Sequence, residues 1–189
     1  FNSTIDHSFY NMSVRDYFLE ISNGYLDING DINSIMRWTT ADEEYDYYVD
    51  GSQGQGLHNG YSKSAAALVV ETLMKIKDEV NFNDFDANDD HTVDMVILVA
   101  EGFMDGTDHL FWPHMFYIPS EIIPNEMNHL DFFYDEDDGM FIKHYIIIPE
   151  KYYYNSDDYA ERYGIHPIGT ICHEMGHVLG LPDLYDTRE

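Results

Sequence analysis

The run His173-Glu174-Met175-Gly176-His177 sets two imidazoles four residues apart, with a carboxylate directly after the first. On a helix, residues four apart lie within about 40° of each other, so both rings leave the same side. Two neutral imidazoles one turn apart can hold one zinc ion. Glu174 is angled to the side, where it reaches a water on that metal. Zinc lowers the pKa of such a water to about 7, and the carboxylate takes its proton. The activated water then attacks a peptide carbonyl, and Glu174 hands the proton to the leaving amine. The chemistry implied is metal-assisted hydrolysis of a peptide bond, with His173 and His177 as ligands and Glu174 as general base.

The flanking residues say what positions this group. Pro167 suits a first helical turn, and Gly180 followed by Pro182 stops the helix. Ile168, Ile171, Met175, Val178 and Leu179 cluster on the side opposite the histidines and read as a core-facing stripe. Gly176 and Gly180 leave room beside the histidines. Zinc needs a third protein ligand. In histidine-based zinc peptidases of the longer pattern it follows a glycine turn, ten residues after the first histidine, which here is Asp183. Asp186 is the substitute. Two histidines on a solvated helix face are the competing reading; the glycine break, Asp183 and the apolar stripe argue against it. Cys172, the single cysteine, excludes an internal disulfide and reads as a small core residue.

Further back, Val14, Tyr17, Phe18 and Ile21 fall at helical spacing, and the pattern predicts a helix over Ser13–Ser22 ended by Asn23-Gly24. Short strand-like pieces follow at Tyr25–Ile28 and Ile35–Trp38. Gly51–Gly60, with four glycines, reads as a loop. A second helix runs from Ser64, its cap, to Val80, with Ala66, Val69, Val70, Leu73, Ile76 and Val80 as the apolar stripe and Glu71–Lys75 as an i,i+4 pair. After an acidic loop, Val93–Ala100 reads as a buried central strand, and Phe141–Ile148 as another. The order is α/β. The expected packing puts the Ser64–Val80 helix behind the sheet, with the histidine helix on the same side of it.

Asp86, Asn88, Asp90 and Asp94 occupy positions one, three, five and nine of an EF-hand-like loop, a spacing of oxygen ligands that suits calcium. His91 stands at position six, where such loops have glycine, and Ile97 at position twelve, where they have glutamate. A calcium site and a solvated acidic turn are both open on this pattern. His109 and His114, beside Phe111-Trp112-Pro113, read as structural, and Asp135–Asp138 as a solvated loop. Tyr185 lies near the proposed metal, either packing beneath it or stabilising an oxyanion.

The 189 residues suit one domain. Hydrophobic residues make up 44% and aromatics 15%, a globular composition. With 36 acidic residues against 9 basic ones, the formal charge is -27, which repels nucleic acid and anionic membranes. No apolar run approaches the ~20 residues of a membrane helix. The sequence opens on Phe1 and stops at Glu189, and reads as an internal segment of a longer chain.

The stretch HEMGHVLGLPDLYD resembles secreted metallopeptidases of the immune inhibitor A type. SVRDYFLEISNGYLDING, DANDDHTVDMVILVAEG, LFWPHMF and YIIIPE resemble further blocks of that family, so the likeness covers most of the chain. It implies a zinc-dependent endopeptidase that acts on proteins or peptides outside the cell. The implied fold over 1–189 is a metzincin-like catalytic domain: a twisted mixed sheet, a backing helix and a zinc-binding active-site helix, with a small C-terminal subdomain truncated. It further implies zinc on His173, His177 and Asp183, Glu174 as base, bound calcium, and a propeptide outside this segment. Two other functions compete. One is a proteolytically inactive binding module of the same fold, which intact Glu174 disfavours. The other is a zinc exopeptidase with a distant downstream glutamate as third ligand, which the compact Gly180–Asp183 spacing disfavours.

Overall fold

The computed structural model describes residues 12–30, 34–104, 107–119, 122, 133–154 and 162–183. Helix α1 spans Val14–Ile21 and starts with a capping box, in which Ser13 Oγ accepts the Asp16 N–H and the Asp16 carboxylate accepts the Ser13 N–H. Phe18 is its buried anchor, while Tyr17 and Ile21 stay largely exposed. The segments 25–28 and 35–38, expected as strands, pair with no strand among the described residues. Leu26 and Ile28 instead pack on the cluster around Phe18. Apolar β-formers signal extended chain, and a ladder additionally needs a partner edge.

A short helix α2, Tyr45–Val49, precedes the glycine loop, and α3 runs Ala65–Ile76. Ser64 sits at the α3 N-cap position, but its hydroxyl donates to the Tyr61 carbonyl instead of capping. Ala65, Ala66, Val69, Val70, Leu73 and Ile76 are buried, and the Glu71–Lys75 pair forms at 2.7 Å. The helix stops at Ile76, so Val80 reaches the core from the following turn.

The strands are β1 (Ile97–Met104), β2 (His114–Tyr117), β3 (Phe133–Asp135), β4 (Met140–Ile142), β5 (His144–Tyr154) and β6 (Arg162–Ile165); α4 (Ile168–Val178) carries the histidines. The main sheet is mixed, in the order β1-β5-β2 with β6 also on β5; β1 is parallel to β5, and β2 and β6 are antiparallel to it. The central strand is therefore β5 and not the expected Val93–Ala100 run. β1 begins four residues later than expected and leaves Ile97 and Val99 more than two-fifths exposed. The expected Phe141–Ile148 strand divides at Lys143, because Met140–Ile142 pairs with β3 in a separate two-stranded sheet.

Alternation along β5 sets the layers. Tyr145 and Ile147 join one cluster with Val69, Val70 and Leu73 of α3, whereas Ile146 and Ile148 join another with Phe18 of α1 and Cys172 and Met175 of α4. Thus α3 and α4 cover opposite faces, contrary to the same-side expectation, because β5 is apolar from Tyr145 to Pro149 and that stretch is buried from both sides. Asp135 also departs from expectation. It is 2% exposed, its Oδ2 accepts the Asp138 N–H, and its Oδ1 has no partner among the described residues. Only Glu136 and Asp137 of that turn are solvated.

Candidate metal centre and catalytic carboxylate

Helix α4 starts at Pro167, whose φ of -65° and ψ of 141° form the N-cap. Cys172 and Met175 are buried against Ile146 and Ile148, and Ile171 and Val178 pack beside them. Ile168 and Leu179 of the expected stripe are exposed at the two ends. The core contact is therefore the middle of the helix, and it turns His173 and His177 outward. At the C-terminus Gly180 takes φ +85°, a left-handed turn that glycine adopts without strain. The Gly180 N–H then bonds the His177 carbonyl, and the Leu181 N–H bonds that of Gly176. The chain folds back over its own last turn, and this brings Asp183 under the histidines.

Three atoms converge. Asp183 Oδ1 lies 3.2 Å from His173 Nε2 and 3.2 Å from His177 Nε2, and the two Nε2 atoms are 3.2 Å apart. A tetrahedral zinc with bonds of about 2.0–2.1 Å has ligand–ligand edges of about 3.3–3.4 Å. A point about 2 Å from all three atoms thus lies just off the plane of this triangle, and the donor set fits zinc. Among the described residues, these are the only three His, Cys, Asp or Glu side chains whose ligand atoms lie within 4.8 Å of one another. His177 Nδ1 is 2.8 Å from the Leu181 carbonyl. A carbonyl only accepts, so Nδ1 carries the hydrogen and Nε2 presents its lone pair to the centre.

Glu174 points elsewhere. It is 5% exposed, and its Oε2 accepts the Met115 N–H of β2 at 2.7 Å. Its Oε1 stays 4.0 Å from His173 Nε2, close to the centre but outside ligand distance. Burial pushes the Glu174 pKa up; the Met115 amide and the two histidines pull against that without reversing it. One oxygen is thus fixed by main chain while the other faces the triangle from 4.0 Å.

Two participants escaped the sequence reading: the Met115 amide and the Leu181 carbonyl. Both are main-chain groups without a side-chain signature, and β2 itself was not among the expected strands. Asp186 and Tyr185 lie outside the described residues. His114 is held by the Trp112 carbonyl and the Tyr145 hydroxyl, and His109 is exposed at a turn. In the acidic loop, Asp86 and Asn88 accept the Asp90 N–H, Asp86 also accepts that of His91, and Asp94 accepts that of Ala87. Asp86, Asp90 and Asp94 are not gathered into one group within ligand reach. His91 takes φ +61°, the left-handed turn that glycine supplies in EF-hand loops.

No described helix is long and apolar enough to cross a membrane. No curated protein matches the chain. A family description does: the immune inhibitor A peptidase M6 catalytic domain matches residues 3–189, and the chain belongs to that family.

Proposed function

We propose that the metallopeptidase activity of this family is carried here by zinc on His173, His177 and Asp183, and that the chain cuts internal peptide bonds. The observation that supports this most is the 3.2 Å triangle with Glu174 beside it and outside it. Zinc held there supplies a Lewis acid that acidifies a water and polarises a peptide carbonyl. The rest is done by this chain. Glu174 Oε1 takes the water's proton, while the Met115 amide keeps Oε2 from swinging into the metal's place. Glu174 later gives that proton to the departing amine. The Leu181 carbonyl fixes the His177 ring and its tautomer through both steps.

Substrates are protein or peptide chains. A field of -27 charges disfavours nucleic acid and anionic membrane surfaces as partners. The resemblance to secreted peptidases supports action outside the cell and a propeptide that covers the cleft until it is removed. The Asp86–Asp94 loop, with Asn88 and Asp90, is proposed to take calcium. The left-handed turn at His91 supports this, and the loop carboxylates would exchange their N–H partners for the ion. Calcium should then raise the melting temperature, and a melting temperature indifferent to millimolar calcium rejects that site.

The decisive comparison for the enzyme is Glu174→Gln against His177→Ala in the full-length protein. Glu174→Gln should keep zinc and lose at least ~10²–10⁴-fold in kcat on a quenched peptide. His177→Ala should lose zinc and activity together. Near wild-type turnover in Glu174→Gln would show the proposed base to be wrong. Zinc binding without cleavage in the wild type would leave a binding module.

A further inference from the structure

Strand β2 reaches from the catalytic carboxylate to an aromatic groove. The Ile118 N–H bonds the Lys143 carbonyl, so in the antiparallel register with β5 the main-chain groups of His114, Phe116 and Ile118 point toward β5. Those of Met115 and Tyr117 point the other way, and the Met115 N–H duly meets Glu174. Tyr117 lies two residues on, about 7 Å along the strand. There Phe116 and Tyr117 are 39% and 60% exposed. With Tyr61, Ile118 and Pro119 they line a groove of about 340 Å³.

The groove is built from two parts of the chain. Tyr61 stands 5.9 Å from Phe116, ring to ring, and tilted by 31°. Its ring is seated on the glycine loop, because a Cβ on Gly56 would lie 2.9 Å from it and Gly56 has φ +74°. Large aromatics exposed along a strand edge are an aggregation liability unless something covers them in use. Phe116 and Tyr61 lie on the Tyr145 face of the sheet and Glu174 on the other. A peptide cleaved at Glu174 and continuing extended along this edge, with side chains alternating between the faces, therefore presents one of them to the groove about two residues away.

We propose that Tyr61, Phe116 and Tyr117 form a specificity pocket that takes one bulky apolar or aromatic side chain of the substrate, about two residues from the cleaved bond. The inference rests on Glu174 marking the position of that bond. Apolar pockets of this kind discriminate by about 10–200-fold between side chains of different size.

The test uses the full-length, zinc-loaded protein and a set of quenched peptides that vary one position at a time between Phe, Leu, Gly and Asp. The wild type should prefer Phe or Leu over Gly and Asp by at least 10-fold in kcat/KM, at a single position near the cut. Phe116→Ala and Tyr61→Ala should collapse that ratio toward one, mainly through KM on the Phe peptide. Phe116→Leu, which keeps apolar bulk, should restore the Leu peptide. Tyr25→Ala removes an aromatic that is 94% exposed elsewhere and should leave the ratio alone. Cleavage with no preference at any position, or a preference that survives both alanine variants, overturns the pocket and leaves the peptidase reading standing. Absence of any cleavage by the wild type overturns both.

Discussion

Replacing Gly180 by alanine separates the turn that delivers Asp183 from the metal ligands themselves. Gly180 has φ +85° and no described residue within 4 Å of where a Cβ would stand, so among the described residues the substitution adds backbone strain and no collision. An alanine held left-handed costs roughly 1–2 kcal/mol. The turn can keep its shape and carry that strain, or relax and move the Leu181 carbonyl and Asp183 away from the histidines. If binding zinc forces the strained turn, the cost appears as weaker zinc affinity, and 1–2 kcal/mol corresponds to about a 5–30-fold loss. Gly24 provides the control: φ +81°, equally open space, and a place at the end of α1, outside the turn that carries Asp183. Competition against a chromophoric zinc chelator at fixed pH reads the difference. Gly180→Ala should weaken zinc by 5–30-fold and Gly24→Ala should leave it within twofold. Equal zinc affinity in both variants and the wild type would refute the claim that this turn positions a ligand.

Other outcomes follow from packing and burial. At Gly54 the same backbone demand, φ +81°, meets a full core: a Cβ would stand 2.5 Å from the Phe111 ring. Gly54→Ala should therefore cost about 2–5 kcal/mol, and a melting temperature within a degree or two of wild type would contradict it. His166 is 6% exposed, and among the described residues neither of its ring nitrogens has a hydrogen-bond partner of normal geometry. Burial lowers its pKa, with the nearby Lys151 main chain opposing. Below the ordinary histidine pKa of about 6.5 the unfolded chain then binds more protons than the folded one, so this contribution to stability is lost as pH falls. Acidification also relieves repulsion among the many carboxylates, so the readout is a difference: His166→Phe should lose less melting temperature than wild type between pH 7.5 and 5.5. Parallel slopes would contradict the burial argument.

Helices α1, α3 and α4 were legible because their signals are local, whereas the five-residue α2 was not among the expected elements. Ser13 and Asp16 cap α1, the 65–76 stripe repeats with helical period, and His173, Glu174 and His177 share one helix, so their spacing already fixes their geometry. Asp183 was within reach of the same logic, since Gly180 and Pro182 force a turn between it and the helix. Strand partners were not legible. The run from Val93 looks like any buried strand, yet Val93 itself bonds the Phe141 carbonyl outside the main sheet and the ladder with β5 starts at Ile97. Nothing in Phe141–Ile148 marks Lys143 as the point where the chain changes neighbours. The same holds for the bond from Met115 to Glu174, which spans 59 residues and uses an amide that every residue but proline possesses.

Diffraction at the zinc absorption edge on crystals of the full-length protein addresses the central claim most directly, because it locates the metal independently of activity. The account predicts one strong zinc peak about 2.0–2.2 Å from His173 Nε2, His177 Nε2 and an Asp183 carboxylate oxygen, with Glu174 still on the Met115 amide and outside the coordination sphere. A peak bound by Glu174 itself, or one from which Asp183 points away while another residue coordinates, would contradict it.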